Sequence, residues 1–162
     1  MENKYYTPSL EEIHIGIECE FTTCEGAFKC NITDDIYTGE LDIVQIQDLF
    51  DFYSRGVMDI EEMIRIKHLT QEDIETLGFK LKSRSIDDWY EANPLEMPES
   101  KIRDYFGHYA FKLFLNYGFR DSRLKIKADF TGEDWDKADS MFEGECKNKT
   151  ELIKILKQIK VI

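Results

Sequence analysis

Between Ile13 and Phe21 apolar residues occupy every second position: Ile13, Ile15, Ile17, Cys19 and Phe21. The other row holds His14, Gly16, Glu18, Glu20 and, just beyond, Thr22. Such alternation gives a strand one apolar and one polar face. It predicts a strand over 13–21 with Cys19 turned to the core. Shorter alternations predict strands over 63–69, 79–85, 123–130 and 141–146, and "FKCNIT" at 28–33 reads as a further short strand. Residues 101–119 fit both templates. The turn-like "NYGFRDS" that precedes the 123–130 pattern favours a strand at 109–116, paired with it as a hairpin, after a helical turn over 99–106.

Helical spacing is rarer. Ile43, Ile46, Leu49, Phe50 and Tyr53 suit one helix face ending near Gly56. Thr70 and Asp73 form a capping box for a short helix that stops at Gly78. Asn148 and Glu151 cap the last helix, whose Leu152, Ile155, Leu156 and Ile159 share one side. Its Lys154, Lys157 and Lys160 suit the negative end of the helix dipole. Residues 1–10 read as an arm. Residues 86–100, with Pro94 and Pro98, and 131–140 read as loops, the first with a short helix around Trp89. Many strands and few long helices predict a single α+β domain over 1–162. Its sheet is mainly antiparallel, with the C-terminal amphipathic helix packed on one face.

Composition fits a globular chain of 162 residues, 42 % hydrophobic, 13 % aromatic and 33 % charged. Charge changes the picture more. Residues 1–62 hold 15 acidic and 3 basic residues, whereas 63–162 hold 18 of each, so the whole net charge of −12 lies in the first stretch. An acidic surface repels phosphate and attracts basic groups. A protein is therefore the expected partner, and nucleic acid is not. No apolar run approaches the ~20 residues that span a bilayer, and the N-terminus has no apolar h-region. The expectation is a cytosolic protein with no membrane partner and with reduced thiols. The oligomeric state is left open.

The stretch "HIGIECEFTTCEGAFKC" at 14–30 raises the question of metal. Cys19, Cys24 and Cys30 lack the CxxC pairs of structural zinc sites. His14, Glu18 and Glu20 spread over about 20 Å of strand, too far to ligate one ion. No metal or other cofactor is expected. The two glutamates are expected to pair across strands with a basic row such as Lys80/Lys82 or Lys125/Lys127, and His68 and His108 to be ordinary histidines. Together with Arg65/Lys67, Arg84 and Arg123, those rows would make a basic sheet face if their strands were neighbours. Few aromatics share their parity, which weakens any nucleic-acid reading. The chain has no phosphate loop, nucleophile elbow or Ser/His/Asp set.

Trp89 in "DDWYE" and Trp135 in "EDWDKAD" sit among carboxylates in the predicted loops. Tryptophan is enriched at binding hot spots. Trp89, Trp135, Glu18 and Glu20 are therefore the candidate partner-binding residues, an acidic aromatic patch for a basic surface. The plainer alternative has each ring folded back over the end of the sheet.

Three stretches carry a resemblance: "YYTPSLEEIHIGIECEF" at 5–21, "IRIKHLTQEDIETLGFK" at 64–80 and "FEGECKNKTELIKILKQI" at 142–159. In these the chain resembles uncharacterised small proteins of bacteriophages and prophages of gut anaerobes. The resemblance implies a phage or mobile-element setting, hence host cytosol, and an accessory role. It brings no catalytic residue with it. The resulting expectation is a non-enzymatic protein-interaction module with an acidic N-terminal half. The alternative is a metal-dependent hydrolase of nucleotides or nucleic acid that uses scattered acidic residues.

Overall fold

The computed structural model describes residues 4–22, 36–83, 88–96, 102, 107–132 and 135–162. The chain divides into two compact units, Met1–His68 and Leu69–Ile162, and its class is α+β with two antiparallel sheets.

The first unit holds β1 (Tyr5–Tyr6), β2 (Glu18–Thr22), β3 (Ile36–Glu40), α1 (Ile43–Ser54), α2 (Ile60–Met63) and β4 (Ile64–Lys67). The sheet runs β1-β4-β2-β3, so two residues of the expected arm form an edge strand, with Tyr5 opposite Lys67 and Tyr6 opposite Ile66. Ile17, Cys19, Phe21, Ile64 and Ile66 line the core with Leu41, Leu49 and Met63. The inward Cys19 predicted by alternation is therefore found, but the strand is shorter than 13–21. Leu10–Glu12 form a 3₁₀ turn. Gly16 then adopts φ +83° in a turn closed by Ile17 N–H donating to His14 O. Only glycine takes that φ at little cost, and the turn leaves Ile15 62 % exposed.

Asp42 caps α1 through a reciprocal box with Gln45. The helix leaves through a Schellman exit, with Val57 N–H bonded to Phe52 O and Gly56 at φ +65°. Its bounds match the predicted helix, but its buried stripe does not. Leu49 is buried and Ile46 and Phe52 pack against the core, while Ile43, Phe50 and Tyr53 are exposed.

The second unit holds α3 (Gln71–Thr76), β5 (Lys80–Ser83), β6 (Asp88–Ala92), β7 (Lys112–Gly118), β8 (Arg123–Asp129), β9 (Asp139–Glu145) and α4 (Lys149–Gln158). Its sheet follows chain order, β5-β6-β7-β8-β9, with every pairing antiparallel. The expected short helix around Trp89 is instead the strand β6. Tyr90 and Ala92 are buried at alternate positions, and a period of two decides for strand. One sheet face carries Leu113, Leu115, Leu124 and Ile126 into a core shared with Leu152, Ile155 and Leu156 of α4. The Asn148 side chain accepts from Glu151 N–H. The Glu151 carboxylate reaches back to Lys147 N–H, one residue before the predicted box. Thr70 and Asp73 cap α3 as predicted, with Gly78 at φ +95° beyond it.

The segment 28–33, Cys24, Cys30, and 99–106 except Ile102 lie outside the described residues. Among the described residues no helix is long and apolar enough to cross a membrane.

Candidate functional site

Strand register in the second unit sorts side chains between two faces. With Tyr90, Leu115 and Ile126 turned to the α4 side, their neighbours Trp89, Glu91, Phe114, Asn116, Lys125 and Lys127 take the other. Trp89 sits at the second position of β6, opposite Asn116 of β7. Trp135 arrives from the β8–β9 connection, where Trp135–Lys137 form a 3₁₀ turn. The two indoles meet edge to face with centroids 3.9 Å apart, and Trp135 stands edge to face on Phe114 at 5.8 Å. Both tryptophans are half-buried, while Phe114 and Asn116 beneath them are only 5 % and 7 % exposed.

Lys127 holds Trp135 in place, and a separate buried carboxylate orders the turn after β8. Lys127 Nζ donates to Trp135 O at 3.1 Å and lies 4.3 Å from the ring centroid, a cation–π contact of about 0.5–1 kcal/mol where exposed. The fully buried Asp129 ends β8 and ties the turn that follows. Its Oδ1 accepts from Thr131 N–H, Thr131 Oγ1–H and Gly132 N–H. An edge-to-face aromatic pair adds roughly 0.5–1.5 kcal/mol beyond burial, so the cluster is a fixed feature of the surface.

The rings thus fold back over the sheet, and they do so together. Their surround differs from expectation. On the described strands the same face carries Lys80, Lys112, Lys125 and Lys127 against Glu91 and Glu143. Lys125 pairs with Glu143 at 2.9 Å and Lys82 with Glu91 at 3.7 Å. These basic rows find their acids within this sheet, and they share their face with Trp89 and Phe114. Phe114 is the residue missed in the sequence, where Lys127 figures only as part of a basic row and not beside the rings. The signal that could have found it is the 109–116/123–130 hairpin, whose register sets Phe114 opposite Lys127.

Glu18 and Glu20 lie on β2 in the first unit. Glu20 is held internally. Tyr5 O–H donates to Oε1 and Arg65 Nε to Oε2, each at 2.6 Å, and the Arg65 guanidinium lies over the Tyr5 ring at 4.6 Å. Its cross-strand partner is thus Arg65 of β4, not the rows of the second sheet. Burial pushes the Glu20 carboxyl up, but the hydrogen bonds from Tyr5 and Arg65 and the charges of Arg65 and Lys4 outweigh it and leave it below its ordinary value. The Tyr5 phenol is pushed up, chiefly by its bond to Glu20.

Cys19 and Cys146 are free and buried, and burial pushes each thiol up to about 12, with nearby carboxylates adding to it. Thiols so placed are poor nucleophiles near neutrality. Among the described residues no group of three His, Cys, Asp or Glu could hold a metal ion. Comparisons of the chain with protein-family models, with curated proteins and with solved structures find no match.

Proposed function

We propose that this protein is a non-enzymatic protein-interaction module whose contact surface is the open face of the second sheet, centred on Trp89 and Trp135. A single observation carries the reading. Two indoles, 46 positions apart in the chain, are fixed edge to face and half-exposed, one of them on Lys127, where a solvated face needs neither. Rigid aromatics of this kind contribute contact area at low entropic cost. The partner surface that fits offers an apolar side chain to the rings and carboxylates to Lys80, Lys112 and Lys127. The resemblance to phage and prophage proteins supports an accessory role in the cytosol of a host cell.

The test is site-specific photocross-linking from position 91, beside the rings, in cells making the protein. A defined adduct that disappears in Trp89→Ala and Trp135→Ala is expected. An adduct indifferent to both substitutions, or none, would remove the reading.

A further inference from the structure

We infer that the open edge of β9 is a second docking surface, separate from the tryptophan face, and that it takes an extended segment of another protein in which basic and apolar residues alternate. β9 is the last strand of its sheet and, among the described residues, pairs only with β8. Cys146 N–H donates to Ser122 O, so Cys146 and, counting back by twos, Gly144 and Phe142 turn their backbone groups towards β8. Glu143 and Glu145 turn theirs outward, where no backbone partner meets them among the described residues. The next residue of that outward row is already engaged. Lys147 N–H donates to the Glu151 carboxylate at 2.6 Å, and Lys147 O accepts from Leu69 N–H at 2.8 Å. The row thus takes one backbone donor and then runs open until the register shift at Met141 ends the regular edge. Unpaired groups along a strand edge are what an added strand bonds to.

The side chains beside that edge select the occupant. Phe142 and Gly144, opposite Ile126 and Leu124, turn to the α4 side, whereas Glu143 and Glu145, opposite Lys125 and Arg123, turn to the other. On the α4 side a groove of about 320 Å³ runs beside the edge, with Phe142 and Ile155 as its apolar part and Lys154 and Gln158 on its exposed rim. An added strand lays every second side chain into this groove, and apolar residues suit it there. The residues between them stand beside Glu143 and Glu145, and basic residues suit those positions. A second copy does not fit. Every two-fold antiparallel register that uses both outward residues sets one of these carboxylates opposite another from the second copy, and like charges directly opposite are destabilising.

The full-length protein, ¹⁵N-labelled, would be titrated with a short peptide alternating Lys and Val, with the same peptide N-methylated at its lysine amides, and with a Glu/Val counterpart. The Lys/Val peptide should slow hydrogen exchange at the Glu143 and Glu145 amides and shift amides across 142–147 and along the groove side of α4. N-methylation removes the donors that face β9 and should abolish both effects. Glu143→Lys/Glu145→Lys should weaken the Lys/Val peptide at least tenfold and favour the Glu/Val peptide, and Trp135→Ala should leave binding unchanged. Equal binding of the N-methylated or Glu/Val peptide, protection away from β9, indifference to the double variant, or no binding at all would overturn the inference. So would protection of the Glu143 amide that rises with protein concentration alone, since the occupant would then be a second copy.

Discussion

Replacing Glu20 by Gln keeps the shape of the side chain and removes its charge. Glu20 is 16 % exposed and takes two hydrogen bonds of 2.6 Å. A hydrogen bond to a charged acceptor contributes about 1.5–3 kcal/mol, and an exposed ion pair only about 0–1. The Arg65 side chain is 48 % exposed, so its share is heavily screened, and the amide can still accept from Tyr5. The expected loss is therefore about 1–2 kcal/mol at neutral pH. The folded-state carboxyl lies below its unfolded value. Its contribution is present above the unfolded glutamate pKa of about 4.3 and fades as pH falls through the folded value. Both tryptophans lie in the second unit, whereas Glu20 lies in the first. Urea unfolding should therefore be followed at the β2 and β4 amides by NMR, between pH 7 and pH 3. The gap between wild type and Glu20→Gln should close on acidification. A gap that stays constant, or widens, would refute the assignment of Glu20 as a charged clamp of β2 on Tyr5 of β1 and Arg65 of β4.

Three further outcomes follow from packing and burial. Ile155→Ala, on the sheet-facing side of α4 and 8 % exposed, should cost roughly 2–5 kcal/mol by chemical denaturation. In Gly144→Ala the new methyl would stand 2.9 Å from Phe142 Cζ, so the ring must swing away. The expected cost is about 1–3 kcal/mol, and the accompanying Phe142→Leu should recover part of it. Cys19 and Cys146, with thiols pushed up to about 12, should resist a disulfide reagent at pH 8 in the native protein and react once urea unfolds it.

Period-two patterns located most strands because burying one face of a sheet imposes alternation on the residues themselves. The pattern at 13–21 over-reached, since Gly16 stands in the polar row, where its turn leaves no mark in the alternation, and Ile15 is exposed despite its place in the apolar row. β6 was obscured by prolines just beyond it and by acids around Trp89; Tyr90 and Ala92 carry its buried parity. The helix at α1 was legible from spacing and its Gly56 exit. Its orientation was not, because Ile43, Phe50 and Tyr53 satisfy the same period as the true inward stripe. The candidate site was half legible. Composition singles out both tryptophans, but only strand register sets Phe114 opposite Lys127, and only the tertiary structure brings the two to Trp135. Glu18 and Glu20 share the polar row of β2, yet Glu20 is engaged by its own unit through Tyr5 and Arg65.

The most direct test of the proposed contact surface compares partner retention by Trp135→Ala and Ile155→Ala, at a temperature where both remain folded. Ile155 lies on the opposite side of the same sheet, so it matches a stability loss without touching the indoles. The account predicts that Trp135→Ala loses at least tenfold in partner affinity while Ile155→Ala binds as the wild type does. Equal losses in the two variants would make the tryptophans part of the scaffold and contradict it.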